Sequence, residues 1–130
     1  MKIIHTSGKR KRAIARATLK SGKGTVRLNG RLIDTYTPEM FRMKIMEPLI
    51  IAGDVASKVD ISVNVIGGGI NGQTEAARLA IGRALSKFDK SLENIFLKYD
   101  RNLMVGDIRR KEEYKPNDSK ARAKRQKSYR

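Results

Sequence analysis

Asp60-Ile61-Ser62-Val63-Asn64-Val65-Ile66-Gly67-Gly68-Gly69-Ile70-Asn71-Gly72-Gln73-Thr74 is the stretch that decides the fold. Its first half alternates strictly, with Ile61, Val63 and Val65 on one side and Ser62 and Asn64 on the other. That is the period of a strand buried on one face. Glycines then interrupt the pattern. From Thr74 to Phe88 the period changes to that of a helix, with Ala77, Ala80, Ile81, Ala84, Leu85 and Phe88 on one stripe and Arg78 and Lys87 off it. A strand, a glycine loop and an amphipathic helix thus follow one another directly.

Upstream, Ala13 to Leu19 alternates weakly and reads as a strand, although Ala is a poor strand former. Lys20-Ser21-Gly22-Lys23-Gly24 reads as a turn, and Thr25 to Gly30 as a second strand closed by Asn29-Gly30. Together these predict an antiparallel hairpin. Thr37-Pro38-Glu39 predicts a helix start, with Thr as cap and Pro at the first helical position. Met40, Phe41, Lys44 and Ile45 continue at helical spacing, and Pro48 is expected to break or restart the helix. Met40, Met43 and Met46 read as core or gap-filling side chains. Downstream, Ser91 to Tyr99 reads as a helix through Leu92, Ile95, Phe96 and Tyr99, and Asn102 to Val105 as a short last strand. The fold class is α+β, a sheet with helices packed on one face. Apolar content collapses beyond Asp107, which divides a globular body, 1–107, from a basic C-terminal tail, 108–130.

The 130 residues carry a formal net charge of +16. A compact monomer with that charge repels itself, and a polyanion relieves the repulsion while releasing counterions. Nucleic acid is the expected partner. No apolar run approaches the roughly 20 residues of a membrane span, and the N-terminus has no secretory apolar stretch. There is no cysteine, hence no disulfide framework and no thiolate metal site. A cytoplasmic protein is expected.

Gly67-Gly68-Gly69-Ile70-Asn71-Gly72-Gln73-Thr74 matches the dinucleotide pattern G-x-G-x-x-G. It also nearly matches the phosphate-binding loop, with Gln73 where a lysine belongs. The missing lysine, the missing second half-fold and the placement of Asp89 in a turn all argue against a nucleotide site. Two readings remain: a tight turn whose glycines permit positive φ and close packing, or bare backbone approaching an RNA phosphate.

Catalysis finds little support. His5 is the single histidine, so a nucleophile–histidine pair has no obvious members. Asp54, Asp60, Glu75 and Asp107 show no paired-carboxylate or metal-ligand spacing, and Glu75 reads as a helix-dipole partner. No cofactor and no small-molecule substrate are expected. The candidate phosphate ligands are Lys9, Arg10, Lys11, Arg12, Arg16, Arg78, Arg83 and Arg101 in the body, with Gly67, Gly68, Gly69 and Gln73, and Arg109, Arg110 and Lys111 at the start of the tail. The last eleven residues, Lys120 to Arg130, hold six Lys or Arg and no acid. They cannot bury enough apolar surface to offset a backbone ordering cost of roughly 1–2 kcal/mol per residue. Such a segment is expected to order only against a polyanion.

Taken in order, several stretches resemble small-subunit ribosomal protein family "S nine", of the archaeal and eukaryotic type. They are Ser7-Gly8-Lys9-Arg10-Lys11, Ala13-Ile14-Ala15-Arg16-Ala17, Gly22-Lys23-Gly24, Val26-Arg27-Leu28-Asn29-Gly30 and Glu47-Pro48-Leu49. Gly67-Gly68-Gly69 with Gly72-Gln73, Arg83-Ala84-Leu85, Tyr99-Asp100-Arg101-Asn102-Leu103 and the ending Ala121 to Arg130 complete the set. The resemblance covers essentially the whole chain. It implies a fold of the ribosomal S-five domain-two type, with a left-handed βαβ crossover. It also implies a structural role in the head of the small subunit, against ribosomal RNA and neighbouring head proteins. Arg122, Lys124 and Arg125 would follow RNA. Lys127, Ser128, Tyr129 and Arg130 would reach the backbone of the tRNA in the peptidyl site.

The chain departs from the family pattern at Arg12, where Thr is usual, and at Ile108, where Pro is usual. Tyr114 to Ser119 replaces a glycine-rich linker, and Pro116 could stiffen it. Two other readings are compatible with parts of the sequence: a free nucleic-acid chaperone with the same charge, and a nucleotide-dependent enzyme using residues 67–74.

Overall fold

The computed structural model describes residues 2–36 and 38–124. Among the described residues, five strands form one mixed sheet in the order β1-β2-β5-β3-β4. They are β1 (Ile4–Arg10), β2 (Ala13–Ser21), β3 (Val26–Leu28), β4 (Arg31–Leu32) and β5 (Val59–Ile66). The α-helices α1 (Glu39–Ala52), α2 (Ile70–Phe88) and α3 (Ser91–Tyr99) accompany the sheet. Residues 108–124 form no helix or strand.

β5 behaves as its alternation requires. Val59, Ile61, Val63 and Val65 are buried, while Ser62 and Asn64 are exposed. It pairs antiparallel with β2, Ala15 opposite Val65, Ala17 opposite Val63 and Leu19 opposite Ile61. The alanines of β2 have a clear use. Ala13, Ala15 and Ala17 are fully or almost fully buried, as are Ala76, Ala77, Ala80 and Ala84 of α2. Small side chains on both surfaces let the helix lie close to the sheet, and that fit overrides the weak strand propensity of Ala. Gly8 of β1 is the extreme case: a Cβ there would sit 2.4 Å from the backbone oxygen of Ala76. Beside it, Thr6 Oγ1 donates to the Ala80 carbonyl at 2.8 Å.

The expected hairpin between Ala13–Leu19 and Thr25–Gly30 does not form. β3 pairs parallel with β5, Val26 opposite Ile61 and Leu28 opposite Val63, so β5 lies between β2 and β3. The connecting loop carries the chain around the start of β5. Asp60 holds that corner by accepting from the backbone N–H groups of Lys23 (2.9 Å) and Thr25 (3.0 Å), bonds that hold its carboxyl below the usual pKa. β2 instead makes its hairpin with β1, through the two-residue turn Lys11-Arg12. The pattern of the sequence does not reveal this first strand: Lys9 and Arg10 end β1, and their charges hide the alternation of Ile4, Thr6 and Gly8. Asn29-Gly30 does turn a hairpin, between β3 and β4, with both residues at positive φ (51° and 84°). The parallel β3–β5 pair is joined through α1.

Other boundaries also move. Pro38 caps α1 rather than opening it, and Thr37 lies outside the described residues. Pro48 does not break α1; it is buried inside a continuous helix. Its missing N–H costs one helical bond, which burial of Ile45, Pro48 and Ala52 offsets. α2 begins at Ile70, four residues before Thr74, with Gly69 as its cap. Arg101–Leu103 is a 3-10 helix, not part of a strand, because Asp100 accepts from the Asn102 N–H and starts a turn. Met46 packs against the core, but Met40 and Met43 face outward. In α3, Leu92 and Phe96 are buried, whereas Ile95 and Tyr99 are exposed.

Candidate nucleic-acid interface

The predicted cations divide into two environments. Arg10, Arg78 and Arg83 turn toward the protein. Arg10 Nε donates to Glu75 at 2.6 Å, and its guanidinium lies 3.6 Å from Asp107. Arg78 donates to Glu47 at 2.5 and 2.9 Å and to Asp100 at 3.0 Å, tying α2 to α1 and to the turn after α3. Arg83 donates to the carbonyls of Met104 (3.1 Å) and Ser7 (2.9 Å), the latter on the outer edge of β1. Glu75 is therefore an ion-pair partner. It lies in the second turn of α2, too far along for the expected dipole role.

Lys9, Lys11, Arg12, Arg109, Arg110 and Lys111 are exposed. Folding gathers Lys11, Arg12, Arg110 and Lys111 around one open cleft, with Gly68, Gly69 and the first residues of α2 on its floor. The tail root reaches this place through a clamp. Asp107 accepts from the backbone N–H and the guanidinium of Arg109, at 3.0 Å and down to 2.6 Å. The Arg109 contacts, with Arg10 nearby, hold the Asp107 carboxyl well below the usual carboxylate range. Arg10 also donates to the Arg109 carbonyl at 3.3 Å, and Arg110 to the Lys11 carbonyl. Lys9-Arg10-Lys11-Arg12 and Arg109-Arg110-Lys111 thus meet, about a hundred residues apart in sequence.

The glycine loop serves this junction. Gly67 (φ 75°) and Gly68 (φ 66°) lie against the hairpin turn, where added Cβ atoms would come 2.6 Å from the Arg12 oxygen and 3.0 Å from Ala13. Both need glycine, for conformation and for closeness. Gln73 Nε2 donates to the Gly67 carbonyl at 3.0 Å and closes the loop on itself. The side chain at the lysine position of a nucleotide loop is therefore spent internally. A Cβ at Gly69 would meet nothing, so the cap of α2 stays open to the cleft.

Arg16 stands apart on the uncovered side of the sheet. It is exposed and lines a second cleft with His5, Thr18, Asn64, Arg83, Lys87 and Lys90. Lys87 and Lys90 are not singled out by the sequence as phosphate ligands. The one signal is position off the apolar stripe of α2, which Lys87 shares with many solvated lysines. Of the tail, Arg122 is exposed and pairs with Glu112 at 2.8 Å, and Lys124 is exposed. Arg125, Lys127, Ser128, Tyr129 and Arg130 lie outside the described residues.

The family model for ribosomal protein S9/S16 matches residues 8–130. Two proteins described as small ribosomal subunit protein uS9, from Methanococcus maripaludis strains C7 and C5, are each 48% identical to the chain over 134 aligned positions. Each alignment covers all of both sequences.

Proposed function

The chain belongs to the ribosomal protein S9/S16 family, and on that premise we propose how it acts as a structural, non-enzymatic component of the small ribosomal subunit in the cytoplasm. The body docks on ribosomal RNA of the subunit head. Its contacts are the rim of Lys9, Lys11, Arg12, Arg109, Arg110 and Lys111, the open cap at Gly69, and Arg16 on the sheet. Such contacts go to phosphates and position the protein without reading sequence. Arg10, Arg78, Arg83 and Gln73 serve the interface indirectly, by holding the elements that carry it. The parallel β3–β5 pair joined through α1 provides the βαβ connection that the S-five domain-two reading requires.

The tail orders against RNA through Arg122, Lys124 and Arg125. Lys127, Ser128, Tyr129 and Arg130 then meet the backbone of the peptidyl-site tRNA, a contact indifferent to which tRNA is bound. One observation carries this reading: the family match extends to residue 130 and includes the basic tail. Two measurements test it. In sucrose gradients the chain should stay with the small subunit through stringent salt, and release at modest salt would exclude an integral component. Deleting 127–130 should weaken tRNA retention in the peptidyl site while subunits still assemble. Normal retention would refute the tail's role.

A further inference from the structure

α1 is apolar on both of its sides. Ile45, Pro48 and Ala52 face the core. On the opposite side Met40, Met43 and Ile50, spaced three and seven residues apart, form an outward stripe, exposed by 66, 60 and 71%. Large apolar side chains left exposed on one helix face, with polar residues around them, mark an interaction site.

The charge around the stripe identifies what covers it. The chain carries +16, yet among the described residues α1 presents no fully exposed cation. Arg42 and Lys44, the two cations of α1, are half-buried. Arg42 is moreover engaged with the Asp34 carbonyl (2.9 Å) and with Glu39 (3.5 Å). Acids stand at the ends: Glu39 beside Met40, its side chain 74% exposed despite the contact with Arg42, and exposed Asp54 four residues beyond Ile50. RNA phosphates would find carboxylates and thioethers here. A polypeptide segment with apolar side chains flanked by Lys or Arg fits both features, and exposed methionines adapt to such a partner.

We propose that Met40, Met43 and Ile50, rimmed by Glu39 and Asp54, are the docking surface for a basic, apolar segment of a neighbouring protein in the small subunit. The proposal rests on the ribosomal reading and is separable from it. Small subunits containing the chain, and the free full-length chain, are treated with hydrogen peroxide, and oxidation at each methionine is followed by mass spectrometry. Oxidation follows exposure, so Met40 and Met43 should react about tenfold more slowly in the subunit. Equal rates would overturn the docking surface while leaving subunit membership intact; absence of the chain from the subunit would overturn both. A benzophenone amino acid replacing Met43 then identifies the cover. A crosslink to a Lys- or Arg-flanked apolar segment of another protein supports the proposal. A crosslink to RNA, to a second copy of this chain or to an acidic segment overturns it.

Discussion

Arg10 and Arg12 lie two residues apart yet have opposite surroundings. Arg10 ends β1 and faces two carboxylates, Glu75 and Asp107. Arg12 sits in the turn, exposed at the mouth of the glycine cleft. The same division runs through the molecule. One set of arginines, with Arg78 at its centre, is consumed in a seam joining α1, α2, the β1–β2 hairpin and the tail root. Another set forms a rim with no comparable carboxylate partners among the described residues, Arg109 excepted, since it belongs to the Asp107 clamp. Charge alone does not say which set a residue joins; the strand end, turn or helix face that carries it does.

The seam should fail first when cut. Arg78→Ala leaves Glu47 and Asp100 facing each other, partly buried and unpaired. Both carboxylates keep about a third of their surface in water, so losing their charged hydrogen bonds should cost about 2–3 kcal/mol, to be read as a lower urea midpoint of the purified chain. Gly8→Ala should come next. Its Cβ meets helix backbone rather than a flexible side chain, so α2 must shift, at a cost of about 1–3 kcal/mol. Both effects should appear without any RNA present.

Asp107→Asn acts on the border between the two sets. It keeps the shape but removes the charge that holds Arg10 and Arg109. Trypsin should cut at Arg109, Arg110 and Lys111 several-fold faster, because local opening becomes easier. The Asp107 pKa lies below its unfolded value of about 4. The clamp is therefore fully present above that value and is lost only as pH falls through the lowered one. Wild-type cleavage at these sites, corrected for trypsin's own pH profile, should be flat between about pH 6 and 8. A rise within that range would show that the clamp depends on another group. The exposed Arg122–Glu112 pair should matter least, at about 0–1 kcal/mol.

Much of the body is legible from local pattern. β5, α3 and most of α2 follow from their periodicities, and Asn29-Gly30 from turn chemistry. What escapes is non-local. The pairing of β3 with β5 depends on which strand comes between, and no window of sequence records that. β1 is hidden because the close approach of α2 puts Gly8 and Thr6 on its buried face where a strand would ordinarily carry Val or Ile, and because charges end it. Pro48 misleads because tertiary burial outweighs a local rule. For the interface, the two basic runs are visible but not their meeting. Asp107 has no signal as a clamp, since a single acid before arginines reads as a neutralised surface. The glycine loop is ambiguous for a physical reason: close packing and phosphate approach both demand a missing Cβ, and here Gly67 and Gly68 meet the first demand.

The central claim is that rim cations meet RNA while seam cations hold the fold. Its most direct test is the salt dependence of binding to small-subunit ribosomal RNA, for the wild type and for Lys11→Ala/Arg12→Ala/Lys111→Ala. Stability should change by no more than about 0.5 kcal/mol, as for ordinary surface sites. The slope of log affinity against log salt should become shallower by about 0.7–0.9 for each phosphate that is no longer neutralised, roughly two to three units if all three cations each meet one. An unchanged slope in a stably folded variant would contradict the account and place the RNA contact elsewhere on the molecule.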